Sequence, residues 1–187
     1  MTAPALPLVL VLAAGRGERF IASGGTTHKL DALLQGQPVR AHVLDAVRAS
    51  GLSYHVVEPG PDRAGMGDSI AAGVRATADA PGWLILPADL PLLRSETLRR
   101  IAQGAGKGEA VTVPVYCGQR GHPVRFAAQC GPALMALNGN EGAASVVRTQ
   151  AALGAVALLE VDDAGTVTDI DTLDDLRRAE ALLRGRT

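Results

Sequence analysis

The stretch Leu8-Val9-Leu10-Val11-Leu12-Ala13-Ala14-Gly15-Arg16-Gly17-Glu18-Arg19 passes from an unbroken apolar run to small residues, then to glycines interleaved with arginines, with Lys29 following. An apolar run without polar alternation reads as a strand covered on both faces, the habit of parallel sheets flanked by helices. The residues after it lack bulk, so backbone N–H groups there can approach an anion closely. Arg16 and Arg19 add planar forks and Lys29 a point charge, a combination suited to a triphosphate. The bland alternative is a turn closed by glycines, with arginines facing water. A Walker A loop would need Gly-Lys-Ser/Thr, and a dinucleotide fingerprint would need glycine where Phe20 stands.

Outward from this stretch, strand-like and helix-like segments alternate. Leu8–Leu12 is followed by a helical pattern over Val39–Ser50 that Gly51 ends, a strand over Ser53–Val57, a helix over Ser69–Thr77 and a strand over Trp83–Leu86. This rhythm predicts a doubly wound α/β sheet with right-handed crossovers. After a helix near Ser95–Gln103, the runs Ala110–Tyr116 and Val124–Phe126 flank the turn Gly118-Gln119-Arg120-Gly121 and read as an antiparallel hairpin added to the sheet. The sheet is therefore expected to be mixed but mostly parallel, in one domain spanning 1–187. Thr172-Leu173-Asp174-Asp175 reads as a capping arrangement, with Leu173, Leu176, Ala179, Leu182 and Leu183 on one face of a closing helix.

Composition narrows the function. Eighteen Lys+Arg against nineteen Asp+Glu leave a formal charge of -1, and aromatics are 3%, which argues against nucleic acid as a partner and for a small ligand. Cys117 and Cys130 lack CxxC or His partners at ligand spacing and read as reduced thiols. The apolar N-terminal stretch has no basic leader and breaks at Pro7, and no run reaches a membrane span, so a cytoplasmic protein with no membrane partner is expected. His28, His42 and His55 read as surface or structural.

In parallel α/β sheets ligands bind beyond the carboxyl ends of the strands. The strand ending Leu84-Ile85-Leu86-Pro87-Ala88-Asp89-Leu90-Pro91 puts a carboxylate at the same edge as the glycine loop. A carboxylate facing phosphates needs a cation between them, and Mg²⁺ fits, since it takes one or two protein carboxylates and fills its octahedron with phosphate oxygens and water. The alternative for Asp89 is a turn cap between prolines.

Together, LAAGRGERF with its later lysine, GMGDS, PADLP, RGHPVRF, NGNEGAAS and DIDTLDDL resemble the MobA-like nucleotidyltransferases, particularly the molybdopterin cytidylyltransferases, from Leu8 to about Leu183. The resemblance implies a Rossmann-like fold of the nucleotide-diphospho-sugar transferase type. It implies a Mg²⁺-dependent enzyme that joins a nucleoside monophosphate from an NTP, CTP before GTP, to the phosphate of a molybdopterin-type acceptor, with pyrophosphate released. A molybdoenzyme receiving the product is a further partner it implies.

By position, the resemblance assigns nucleotide binding to Leu12, Ala13, Ala14, Gly15, Arg16, Lys29, Gly65, Gly67, Asp68 and Ser69. Arg16, Lys29 and Asp89 are the implied catalytic residues, and Asp89 and Asp171 the implied metal ligands. Gly121, His122, Pro123, Asn140 and Glu141 are placed at the acceptor. Three positions depart from the family: a longer, glycine-rich segment Phe20–His28 before Lys29, Leu90 in place of Met or Gln, and Asn140 where an Asp is frequent, which keeps a carbonyl oxygen but loses the charge.

His122 either touches an acceptor phosphate or bonds to the backbone of its turn. Glu141 is either an acid near the site or part of the turn before the Ala143–Gln150 helix. An acceptor phosphate is largely dianionic at neutral pH, so attack on the α-phosphorus needs no general base, in keeping with the lack of an evident Ser-His-Asp or Cys-His set. Two other functions share these residues: sugar-1-phosphate nucleotidyl transfer, and a nucleotide- or pterin-binding maturation factor without turnover.

Overall fold

A computed structural model of the chain describes residues 5–58, 60, 65–106 and 108–185. The strands are β1 (Leu8–Leu12), β2 (Leu33–Leu34), β3 (Gln37–Pro38), β4 (Tyr54–Val57), β5 (Gly82–Pro87), β6 (Val111–Tyr116), β7 (Gln119–Arg120), β8 (Val124–Ala127) and β9 (Val156–Glu160). The helices are α1 (Glu18–Ala22), α2 (Val39–Ser50), α3 (Met66–Ala76), α4 (Ser95–Gln103), α5 (Gly131–Met135), α6 (Ala144–Ala152) and α7 (Leu173–Arg184). One seven-stranded mixed sheet runs β4-β1-β5-β8-β6-β7, with β9 also paired to β6; β2 and β3 form a separate antiparallel pair. No helix among the described residues is long and apolar enough to cross a membrane.

The continuous apolar strands have the cause expected of them. Val9 and Val11 of β1, with Leu84 and Leu86 of β5, pack beneath Val39, Val43 and Val47 of α2 and Leu98 and Ile101 of α4. Leu10, Leu12, Trp83 and Ile85 point the other way, onto Ile70 and Val74 of α3 and Val146 of α6. Each such side chain stabilises the fold by about 1.5–3 kcal/mol when removed from water, so neither face tolerates a polar alternation. Gly51 ends α2 at φ 72, the left-handed conformation that costs glycine nothing.

Three expectations are corrected. The antiparallel hairpin exists, but its turn is Cys117-Gly118, both in the left-handed region at φ 48 and 80, as a two-residue turn between right-twisted strands requires. Gln119 and Arg120 then fold back onto β6, and β8 enters the sheet between β5 and β6, antiparallel to both. The helix expected from Ser69 begins at Met66, because the Asp68 carboxylate accepts the Gly65 N–H (3.1 Å) and closes the first turn. Within α7, Ala179 is buried and Leu173, Leu176 and Leu183 pack on the core, but Leu182 is 46% exposed, one position off the stripe.

Candidate functional site

The tips of β1 and β5 are adjacent because the two strands pair in parallel with Leu12 opposite Pro87, and the Ala88 N–H donates to Leu12 O at 3.0 Å. A cleft of about 830 Å³ lies over this edge. Leu12, Ala14, Gly15, Arg16, Lys29, Gly65, Ser69, Asp89, Gly121, His122, Asn140 and Asp171 line it. Ala13, Gly67, Asp68, Pro123 and Glu141 are absent from its lining. The glycine loop and Asp89 therefore share one cavity.

At its centre Lys29 Nζ donates to Asp89 Oδ2 at 2.6 Å and to Asp171 Oδ1 at 2.8 Å. Burial alone would lower the pKa of this ammonium, but Asp89 and Asp171 outweigh it and hold the pKa above the ordinary lysine value. The second Asp171 oxygen faces Arg19 at 2.6 Å, while Arg16 sits 3.6 Å from Glu18 with both side chains open to water. Asp171 owes its position to the cap of α7: Asp175 accepts from Asp171 N at 3.2 Å and from Thr172 N and Oγ1 at 2.7 Å. Burial, with repulsion from Asp89 and Asp171 added, raises the Asp169 carboxyl above its ordinary value. Asp169, not among the expected site residues, also lines the cleft, and the Asp-x-Asp spacing of DIDT is its signal in the sequence.

The backbone N–H groups of Ala14, Gly15, Arg16 and Gly17 have no acceptor among the described residues, although Ala13 N is tied to Val57 O. The loop after β1 thus lines the cleft with residues whose amides have no acceptor among the described residues, and such amides suit an anion. His28, expected at the surface or in a structural role, has the structural one and braces this loop: its Nε2 lies 2.7 Å from Gly15 O.

The glycines of GMGDS have a packing role. A Cβ on Gly65 would stand 2.0 Å from Gly139 O, and one on Gly67 would stand 2.5 Å from Glu141 O. Asp68 Oδ1 accepts the Gly139 N–H at 2.9 Å. So Gly67 and Asp68 clamp the start of α3 to the 138–141 turn, which carries Asn140 into the cleft, while Gly65, Met66 and Ser69 face it.

At the far end, a Cβ on Gly121 would lie 2.5 Å from Thr166 O, and the His122 N–H donates to that oxygen at 2.8 Å. Buried Asp163 fixes the Thr166 turn through Gly165 N (3.0 Å) and also holds Arg94 N (2.9 Å). The His122 ring opens to the cleft, yet the surrounding walls desolvate it enough to lower its pKa, against Asp89 and Asp169, which act in the opposite direction. Arg120, beside it, lines the cleft with no ion pair among the described residues. Its place in Gly118-Gln119-Arg120-Gly121, which reads as a turn, hides the short strand β7 that carries it to the cleft.

Among the described residues no group of three or more His, Cys, Asp or Glu side chains is arranged to hold a metal ion. Asp89 and Asp171 form a pair of carboxylates with a cation between them in the form of Lys29.

The chain is 37% identical over 120 residues to the purine catabolism protein PucB of Bacillus subtilis, a match spanning 62% of this chain and 57% of that one. It is 29% identical over 195 residues to the molybdenum cofactor guanylyltransferase of Cupriavidus taiwanensis, covering 92% of this chain and 95% of the relative. Among solved structures, Rv0371c of Mycobacterium tuberculosis superposes with a TM-score of 0.74 at 26% identity, over 95% of this chain and 98% of that one. The same mycobacterial protein is also known in complex with manganese. The model of the MobA-like NTP transferase domain matches residues 49–155, more than half of the sequence, and the chain therefore belongs to that family.

Proposed function

We propose that this protein transfers a nucleoside monophosphate from an NTP, CTP before GTP, to the phosphate of a molybdopterin-type acceptor, releasing pyrophosphate. The observation that carries this reading is the bridge of Lys29 between Asp89 and Asp171, in the same cleft as the loop after β1, whose amides have no acceptor among the described residues. The family and the guanylyltransferase relative support the reaction class and the acceptor. The preference for CTP is what the resemblance to the cytidylyltransferases implies, carried by Gly121-His122-Pro123 and by Gly139-Asn140-Glu141-Gly142-Ala143.

The residues present suit a divalent cation. Asp89 Oδ1 is buried without a hydrogen-bond partner among the described residues, and Asp89 Oδ2 and Asp171 Oδ1 already converge on one positive charge. Asp89 and Asp171 would hold the ion, leaving its remaining positions to phosphate and water, as Mg²⁺ prefers. Bound there, it would neutralise phosphate charge.

In this reading an oxygen of the acceptor phosphate dianion attacks the α-phosphorus, a new P–O bond forms, and the α–β bridging bond breaks with its electron pair leaving on pyrophosphate. No side chain has to remove a proton. The loop amides and Arg16 hold the phosphates, and Lys29, given up by its carboxylates, turns to phosphate oxygens. Orientation and charge compensation then carry the rate. This reading assigns the acceptor's entry to Arg120, a cation with no ion pair among the described residues, and to His122, whose ring burial disfavours as a cation.

The test is pyrophosphate release with CTP, GTP, UTP and ATP against molybdopterin-type and sugar-1-phosphate acceptors. Release with a molybdopterin-type acceptor, lost in Asp89→Ala, is the expected result. Release only with sugar phosphates would reassign the acceptor, and nucleotide binding with no release under any combination would mark a binding protein.

A further inference from the structure

We infer that His28 is a positioning residue: by taking up the Gly15 carbonyl it keeps the amides of residues 14–17 turned to the cleft, and so sets the affinity for a polyphosphate. The inference rests on the cleft being an NTP site. A loop that binds an anion through N–H groups is weakened by any carbonyl that swings inward, since its dipole opposes the ligand. His28 Nε2, 2.7 Å from Gly15 O, removes that option for Gly15.

The tautomer follows from the second ring nitrogen. The Leu30 N–H donates to His28 Nδ1 at 3.2 Å, so Nδ1 is the acceptor and the proton resides on Nε2, where it meets Gly15 O. The ring also fills the space beside Gly17, where a Cβ would come within 3.3 Å of it, and Gly17 itself sits at φ 66. One residue later in the chain, Lys29 reaches the two carboxylates. The same short segment therefore supplies the central cation and sets the phosphate loop.

Three substitutions separate the two hydrogen bonds from the ring. His28→Gln keeps a donor near the Nε2 position, His28→Asn keeps an acceptor near the Nδ1 position, and His28→Phe keeps only the ring. The readouts are calorimetric affinities for inorganic tripolyphosphate, Mg-CTP and Mg-GTP, and ¹⁵N order parameters of Ala14 to Gly17 in the unliganded protein. Expected are a loss of about tenfold in tripolyphosphate affinity for the Asn and Phe variants and less than about threefold for Gln. Loop order parameters should fall below about 0.6 in the Asn and Phe variants alone.

A Gln variant as weak as Phe, or three variants that bind and order like wild type, would overturn the inference while leaving the NTP site standing. Wild-type protein that takes up none of the three ligands would overturn the NTP reading and this inference together. Should His28→Phe not fold, the contrast between Asn and Gln decides.

Discussion

Lys29→Met removes the ammonium but keeps an unbranched stem, in a place where Lys29, Asp89 and Asp171 are only 12%, 15% and 20% exposed. At an effective dielectric of about 20, contacts of 2.6 and 2.8 Å each represent about 6 kcal/mol of gross attraction, most of it offset by desolvation. Breaking a fully buried pair by removing one partner costs about 3–5 kcal/mol; because these groups retain some water, about 2–3 kcal/mol is expected here. That corresponds to a melting temperature lower by about 4–12 °C in a chain of this size.

Calorimetry in EDTA reads the loss. Manganese should then raise the melting temperature of the variant more than that of wild type, since no ammonium competes for the same oxygens. Saturation at about 100 times Kd would return about 2.7 kcal/mol. The pKa of Lys29 is raised in the folded state, so its contribution is complete below the ordinary lysine pKa and is lost as pH rises through the raised value; the gap between variant and wild type should close only in strong alkali. A variant as stable as wild type in EDTA, or an equal manganese response in both, would refute the reasoning.

Asp89→Ala should lower pyrophosphate release by about 10²–10³-fold or more with the fold intact by circular dichroism; near-normal release would remove Asp89 from the reaction. Gly65→Ala brings a methyl to 2.0 Å from Gly139 O and should cost about 1–3 kcal/mol in denaturant unfolding, an expectation that an unchanged midpoint would reject. Burial would raise the Asp175 carboxyl, but the Thr172 hydroxyl and the Asp171 and Thr172 amides outweigh it and keep its pKa low. Its stabilisation is therefore present above the ordinary carboxylate pKa and disappears as pH falls through the lowered value. Asp175→Ala should cost about 1–2 kcal/mol at pH 7 and almost nothing in strong acid, as melts across pH would check. Arg120→Met should raise KM for the acceptor and leave KM for the NTP unchanged; an effect on the NTP alone would place Arg120 elsewhere.

Periodicity made β1, α2 and α4 legible to the residue, and it revealed α7 through its cap and stripe, because these elements are determined by which faces are apolar and by local hydrogen bonds at their ends. The nearness of the glycine loop and Asp89 could likewise be read, since parallel strands bring their carboxyl ends to a common edge. Asp169, Arg120 and the clamp of Gly65 and Gly67 on the 138–141 turn escaped that logic. The clamp depends on a partner some seventy residues along the chain, a distance about which spacing says nothing, whereas Asp169 sits in the Asp-x-Asp of the final motif and Arg120 is hidden within a stretch that reads as a turn.

The amino-acid order alone thus determined the class of sheet, the parallel pairing of its first strands and the residue types gathered at their edge, but it left β9 unread. It left two matters to tertiary structure: where β8 inserts, and what each charged side chain touches. Strand insertion depends on which edges remain open once the other elements have packed. The charges depend on shared burial, which draws Lys29 between Asp89 and Asp171 because none of the three could be desolvated at low cost without the others.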